Sequence, residues 1–534
     1  MRRVAVALTT AALLAMGVIT APLAQAAPPG PAATPDFTPA PVTWGPCTDI
    51  RLAAANAQCG FVTVPLDYAQ PKGAVVQLAV SRVKHTVGAA QYQGVMLVNP
   101  GGPGGSGLVF SLLAGAVPNA AGASYDWIGF DPRGVGSSKP ALSCSAGYAG
   151  YDRPYYIPDT AKDEAAWLKK SAAYTATCAA KGKALLQHLT TVDSAKDMDS
   201  IRRALGQKQI NYYGFSYGTY LGSVYATLYP QNVRRMVLDG NVDPRGIWEQ
   251  DNYNQDVAFE KTISVFFGWV AKYDSIYHLG TTEAAVEKVY YDQYRKLRTA
   301  PAGGKIGSSE WNDIFLQAGY YVFGWESIAT AFSNWVNKAD ATGLVNLYGA
   351  PPFDDNGYAI YLGVECTDAT WSSYPEFRKE NAELYSEAPF ETWPNGWFNA
   401  PCTFWPAKAS APVEIDGSKA PPLLLIDETL DAATPYSGSL ELRKRFPKSS
   451  LIEGVGGTTH AGSLSGVACT DDTVASYLAT GATPERVAGN RSDKQCAPVP
   501  QPVPTALTSA TTMAQSGAAK SSVAPGVAMR VVQG

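Results

Sequence analysis

The sequence predicts an α/β protein with a mostly parallel central sheet and an inserted, mainly helical cap. Three observations point there: short apolar runs alternate with helical patterns between residues 75 and 238, long aromatic-rich helical stretches take over from about residue 248, and a buried strand returns only at residues 423–426. Strands covered on both faces read as continuous apolar runs, and strands separated by helices pair in parallel. The organisation expected is a signal peptide (1–26), a leader or pro-segment (27–40), a first part of the α/β core (41–247), the helical cap (248–410), a second part of the core (411–496) and a Pro/Ala/Ser/Thr-rich tail (497–534).

Arg2 and Arg3 precede an uncharged, mostly apolar stretch from Val4 to Thr20, and Ala24-Gln25-Ala26 supplies the small-x-small pattern of a signal-peptidase site. Cleavage after Ala26 and export are expected, which makes the mature protein secreted and extracellular. No later window approaches ~20 uninterrupted apolar residues, so no membrane span is expected. The leader and the tail hold too little apolar surface to offset their ordering entropy and are expected to be disordered.

Val75 to Val83 alternates apolar and polar residues as a half-buried strand does, and Gly94 to Val98 is a continuous apolar run that enters the loop Asn99-Pro100-Gly101-Gly102-Pro103-Gly104-Gly105. Trp127 to Phe130 is a third strand, ending at Asp131-Pro132-Arg133-Gly134. A helical pattern then opens at Asp193 and stops at Gly206, followed by a strand over 209–215, a helix over 220–229 and a strand over 236–238. After the cap, Leu423 to Ile426 and the later LIEGV run resume the sheet.

Composition narrows the function classes. Forty-two Lys+Arg against 46 Asp+Glu leave a net charge of −4, so no basic excess exists to track a phosphate backbone and nucleic acid is not an expected partner. Only four His and no Cys-x-x-Cys pair leave little material for a zinc site, and neither metal nor cofactor is expected. Nothing in the sequence signals a partner subunit, and a monomer is expected. Export gives the eight Cys an oxidising compartment, and pairing between sequence neighbours is the expected arrangement: Cys47 with Cys59, Cys144 with Cys178, Cys366 with Cys402, and Cys469 with Cys496.

The chemistry centres on Gly214-Phe215-Ser216-Tyr217-Gly218. The bare G-x-S-x-G pattern is weak, but here it ends an apolar run (INYYGF) and opens a helical stretch (TYLGSVYATLY). That strand–turn–helix context is the one in which an α/β-hydrolase lifts a serine above its sheet. Ser216 is the expected nucleophile. A serine hydroxyl needs a base, and the triad order Ser, Asp/Glu, His in this fold selects His460, in Gly456-Gly457-Thr458-Thr459-His460, over His85, His188 and His278. The acid must lie between them on a loop after a strand. Asp431, just after the LLLI run and before Pro435, is the expected one, with Asp239, Asp243 and Asp427 as competitors. An oxyanion hole needs two backbone donors, expected at Tyr217, after the nucleophile, and at Gly102 in the glycine loop.

Pro100-Gly101-Gly102-Pro103-Gly104 is similar to the HGGPG loop of the proline iminopeptidase family, with Pro100 in place of His. Together with Asp131–Ser138, Gly214–Gly218, Cys366-Thr367-Asp368, Asp431–Pro435 and His460 it resembles the secreted bacterial tripeptidyl aminopeptidases over about residues 43–470. Two stretches depart from that pattern: Ile426-Asp427-Glu428-Thr429 before the acid, and Gly456–Ser463 around the histidine. The resemblance implies an α/β-hydrolase fold with a helical cap, and release of short peptides from the free amino termini of peptides or proteins. Such an exopeptidase must fix a protonated amine, for which buried carboxylates serve. Glu365 and Asp368 are the candidates, with a contribution from Glu428 open and ordinary solvated or capping roles equally open. The twelve Trp line a substrate pocket or pack the cap. An esterase or lipase and a non-catalytic binding protein on the same fold are the rival readings; the binding protein fits poorly, since Ser, Asp and His are all present.

Overall fold

The structure is a computed structural model that describes residues 37–349 and 353–505. The expected signal peptide, residues 27–36 of the leader and residues 506–534 of the tail lie outside the described residues. In chain order the strands are β1 (Gly45–Pro46), β2 (Gln58–Pro65), β3 (Val75–Val83), β4 (Val95–Asn99), β5 (Asp126–Phe130), β6 (Ile210–Phe215), β7 (Val233–Asp239), β8 (Leu424–Glu428), β9 (Ser450–Gly454) and β10 (Lys494–Cys496). They form one sheet in the order β1-β2-β3-β5-β4-β6-β7-β8-β9-β10. The pairs β1/β2, β2/β3 and β3/β5 are antiparallel, and every pair from β5/β4 to β9/β10 is parallel.

The central strands are apolar throughout because both faces are covered. Adjacent residues of one strand serve different cores: Leu97, Tyr212, Leu238 and Leu425 pack with the helices Thr191–Ala204 and Tyr217–Leu228, whereas Met96, Val98, Tyr213, Val237 and Leu424 pack with the helix Ala468–Thr480. Three differences from the sequence reading have local causes. The helix expected at Asp193 begins at Thr191, since Thr190 is the cap and its hydroxyl accepts the Asp193 N–H at 3.0 Å. The helix expected at Tyr220 starts directly after Ser216. Strands β1, β2 and β10 were not among the strands expected; β1 and β10 are only two and three residues long, and in β2 the alternation is confined to Phe61–Val64.

Between β7 and β8 the chain is helical. The helices Glu249–Lys272, Glu283–Leu297, Ser308–Tyr320 and Trp325–Lys338 share an aromatic core of Phe266, Tyr290, Trp311, Phe315 and Trp325. A second, smaller core takes in a segment assigned from the sequence to the first part of the sheet domain. Trp167, on the helix Ala161–Gly182, stacks between Tyr156 (centroids 5.3 Å apart) and Trp397 (5.8 Å). The eight Cys pair as sequence neighbours, in the four bridges expected. Among the described residues no helix is long and apolar enough to cross a membrane.

The tail departs from expectation over residues 497–505. Val499 is buried, its N–H donates to Glu428 Oε1 at 2.6 Å, and the Pro502 carbonyl accepts from Trp269 Nε1 at 2.9 Å. Composition gave no sign of this because the segment uses the core of the cap in place of one of its own.

The Asp131–Ser138 motif is structural. Asp131 accepts from Ser106 Oγ, Gly107 N–H and Ser137 N–H at 2.6, 3.0 and 2.7 Å, which seats the glycine loop on the end of β5. Arg133, 1% exposed, forms a two-point pair with Asp197 at 2.7 Å for each bond and also donates to the Leu66 and His188 carbonyls. Removing the cation would strand a buried carboxylate. Arg133→Ala is expected to cost roughly 3–5 kcal/mol, read as a fall in the urea midpoint; a midpoint equal to wild type would show that Asp197 is not held by this pair.

Candidate active site

β6 ends at Phe215 and the helix Tyr217–Leu228 begins one residue later, leaving Ser216 alone between them at φ 55° and ψ −127°. A side-chain-bearing residue in such a region is strained by about 1–3 kcal/mol, and neighbours pin this one. Its N–H donates to the Asp239 carbonyl at 3.0 Å and its carbonyl accepts the Thr219 N–H at 2.8 Å. The flanking glycines are required by close approach: a Cβ on Gly214 would lie 2.5 Å from the Gly218 carbonyl oxygen, and one on Gly218 2.7 Å from that of Asn99. Gly101 presses on the turn from the other side, where its Cβ would stand 2.8 Å from that of Ser216. Tyr217 occupies the first helical position, so no intrahelical carbonyl can reach its N–H. Ser216 is partly exposed to a cavity that Tyr217 and Gly102 also line.

His460 Nδ1 lies 2.7 Å from Asp431 Oδ2. Asp431 is itself oriented by Thr434, whose N–H donates to Oδ1 at 2.9 Å and whose hydroxyl donates to Oδ2 at 3.0 Å. That contact keeps a proton on Nδ1 and leaves Nε2 as the acceptor; Nε2 is buried without a hydrogen-bond partner among the described residues. Burial pulls the imidazolium down, but the Asp431 charge and hydrogen bond, with the Asp239 charge behind them, outweigh it and hold the His460 pKa above its ordinary value. The competing carboxylates are engaged elsewhere: Asp239 with the Ser463 N–H (2.9 Å), Asp243 with Arg245 (2.8 Å) and Asp427 with Ser439 Oγ (2.5 Å). His85 pairs with Asp126, His188 lies 3.8 Å from Asp193, and His278 caps a short helix.

The cavity above Ser216 holds about 390 Å³ and is walled by the cap. Its aromatic surface comes from Trp167, Trp248, Tyr320, Tyr361 and Trp397, so some tryptophans line it while Trp311 and Trp325 pack the cap. Its acidic lining comes from Asp243, Asp251, Asp313, Glu365 and Glu391, of which Asp243 is paired with Arg245 and Asp313 with Arg153, which also lines the cavity. Glu365 is 4% exposed, accepts from Asn252 Nδ2 at 3.2 Å, and is pushed up to about 8 by burial. Asp251 is buried with neither carboxylate oxygen partnered among the described residues, and burial, then the nearby Asp243 and Glu365 charges, raise its pKa well above the usual range. Asp368 does not join them. Its carboxylate accepts from the Thr191 N–H (2.8 Å) and hydroxyl (2.5 Å), away from the cavity, because the start of the helix Thr191–Ala204, 177 residues earlier in the chain, packs against its helix end. Glu428 also points elsewhere, accepting the Thr459 N–H at 2.6 Å on the loop that bears His460.

The family described as alpha/beta hydrolase fold matches residues 94–461. The chain belongs to the α/β-hydrolase family. It is 41% identical over 486 residues, 87% of each chain, to a tripeptidyl aminopeptidase of Streptomyces coelicolor. It is 32% identical over 474 residues, 83% of this chain and 90% of the other, to the serine protease Hip1 of Mycobacterium tuberculosis. A carboxylesterase B of the same organism matches at 30% over 511 residues, 89% of this chain and 96% of that one. The protein is a serine hydrolase.

Sequence reasoning missed three residues of the candidate site. Asp251 falls in the first turn of its helix, where an acid is already explained by the helix dipole, so nothing singled it out. Thr434 was within reach, since a hydroxyl three residues after the acid is the usual way a turn orients a carboxylate. Tyr320 ends a cap helix, and its carbonyl accepts the His460 N–H at 2.9 Å while its ring lies 5.9 Å from the imidazole. No local pattern announces such a contact.

Proposed function

We propose that this serine hydrolase is a secreted exopeptidase that releases short peptides, tripeptides foremost, from free amino termini through an acyl-enzyme. The observation that carries the reading is the pair of buried acids, Asp251 and Glu365, in the same cavity as Ser216. An empty buried carboxylate is costly, and at pH 7 a group with a pKa of about 8 is mostly neutral; a substrate ammonium restores its charge and satisfies it. A cavity of about 390 Å³ also suits a short chain end better than an internal segment of a folded protein. The relative named tripeptidyl aminopeptidase supports the reading, and the four disulfides fit an oxidising compartment. The relative named carboxylesterase favours a second reading, an esterase on the same machinery.

In the proposed reaction Ser216 Oγ attacks the scissile carbonyl as His460 Nε2 takes its proton. The oxyanion is received by the N–H groups of Tyr217 and Gly102, and Asp431 stabilises the imidazolium. His460 then returns the proton to the departing amine; water, deprotonated by the same imidazole, attacks the acyl group, and the proton passes to Ser216 Oγ as the acyl bond breaks.

Ser216→Ala is expected to abolish fluorophosphonate labelling and lower kcat on the order of 10⁴-fold or more, as is His460→Ala for kcat. Labelling that survives Ser216→Ala would reject the nucleophile. Because the free imidazole is the base, kcat/KM should rise with pH through a midpoint above 6.5. In the residual activity of Asp431→Asn that midpoint should move down, since the largest upward influence is gone and burial remains. An unchanged midpoint would mean that another acid sets it.

Acetylating the amino terminus of a good peptide substrate should lower kcat/KM about 10- to 100-fold, because the buried acids lose their cation. Asp251→Asn and Glu365→Gln should each shrink the ratio of free to acetylated substrate and leave a small neutral ester nearly untouched. A wild-type ratio near one would replace the exopeptidase with the esterase.

A further inference from the structure

The loop that bears His460 wraps around a carboxylate that takes no part in the proposed chemistry. Glu428, the last residue of β8, is buried, and its two oxygens accept different backbone donors: Oε2 the N–H of Thr459 and Oε1 the N–H of Val499, each at 2.6 Å. Thr459 immediately precedes His460. The loop closes on this side chain so tightly that a Cβ on Gly457 would fall 2.3 Å from Glu428 Cδ and 2.6 Å from Pro498 Cβ. On the far side of the histidine, a Cβ on Gly462 would meet Val499 Cγ2 at 3.0 Å. The loop is thus held between Glu428 and the C-terminal segment.

That segment reads Ala497-Pro498-Val499-Pro500-Gln501-Pro502-Val503-Pro504-Thr505. Alternating prolines fix an extended backbone in advance and remove every second donor. The Val499 N–H goes to Glu428, the Pro502 carbonyl receives Trp269 of the cap, and the Thr505 N–H and hydroxyl bond Glu326 of the cap at 2.7 and 3.0 Å. One short stretch therefore joins the histidine loop to two cap helices. The cap grips the same loop directly, through the His460 N–H and the Tyr320 carbonyl.

We propose that Glu428 is a positioning residue for His460 and that the C-terminal segment 497–505 is a strap that completes it, so that the base is held in place only while the strap is seated. This rests on His460 being the base. The carboxylate is needed because two N–H groups converge on it and only an acid offers one acceptor oxygen to each. A loop released from either oxygen can shift the imidazole, and a displacement near 1 Å at a catalytic group costs on the order of 10²-fold.

The test uses the full chain and a small neutral ester, with thermal unfolding recorded for each variant. Glu428→Gln leaves one acceptor for two donors; Val499→Pro deletes the second donor within a segment already extended by proline. Val503→Pro makes the same change at a solvent-exposed position of the strap and serves as the control. Glu428→Gln and Val499→Pro are each expected to lower kcat and the rate of fluorophosphonate labelling about 10-fold or more, with KM within about twofold. The double variant should be no slower than the slower single, since both changes break one arrangement. Val503→Pro should match wild type. Unchanged kcat in Val499→Pro, losses that multiply in the double variant, or an equal loss in Val503→Pro would each overturn the strap, and Val499→Pro decides alone if Glu428→Gln does not fold. His460→Ala, measured alongside, separates the two ideas: an active His460→Ala protein removes the base, whereas a silent one with an unaltered Val499→Pro protein removes only the strap.

Discussion

Two backbone hydrogen bonds just beyond the ends of the parallel strands hold the site together. The Ser216 N–H reaches the Asp239 carbonyl and the Gly240 N–H reaches the Ile426 carbonyl, each at 3.0 Å. They extend the β6/β7 and β7/β8 ladders by one step and so lock the serine turn, the end of β7 and the middle of β8 in one register. Gly240 is the pivot of that arrangement: its φ is +69°, and a Cβ there would lie 2.9 Å from His460 Cε1. The imidazole from a loop 220 residues later rests on backbone because no side chain stands in the way. Strand ends in parallel sheets are where functional groups collect, and here the ladder itself fixes the spacing between the serine turn and the imidazole.

The electrostatics follow from this convergence. Asp239, Asp427, Glu428 and Asp431 all lie on or just past the ends of β7 and β8, and all are buried. Burial pushes Asp239 up to about 7 and Glu428 up to about 8, and raises Asp427 well above the carboxylate range, with the neighbouring Asp431 charge adding to it. Like charges this close cannot all ionise, and the hydrogen bonds sort them. Ser439 serves Asp427, the Ser463 N–H serves Asp239, and Thr434 together with His460 serves Asp431. The residue facing the imidazole is Asp431, while Asp239, Asp427 and Glu428 hold the strand ends and loops around it.

Much of this was legible in the sequence because it is local. The serine turn announces itself in five consecutive residues, and the continuous apolar runs of β4, β6 and β8 betray a sheet covered on both sides. Asp431 stood out from Asp427 only by its place after the strand and before Pro435, a distinction that the hydrogen bonds of Ser439 and Thr434 express in three dimensions. What sequence could not give depends on contacts between distant segments. Asp368 sits beside a half-cystine at the end of the cap and has the right chemistry for an amine, yet Thr191 claims it; Asp251, unremarkable at a helix start, is the acid left open to the cavity. Trp167 joins the cap from before the nucleophile for the same reason: stacking with Trp397 has no signature along the chain.

The tail shows where composition stops being a guide. A stretch rich in proline cannot assemble a core, and by itself that argues for disorder. Proline also lowers the entropy lost on ordering, because its backbone is already restricted before it binds. Residues 498–505 therefore need only a few good contacts to stay in place, and the structure supplies them: one buried valine, one carbonyl for an indole and two N–H groups that meet carboxylates. The fixed spacing of the prolines decides which donors remain, and the one at Val499 meets the one carboxylate that also holds the histidine loop. A segment that looks like filler when judged by its residues becomes specific when judged by which of its backbone groups are left free to bond.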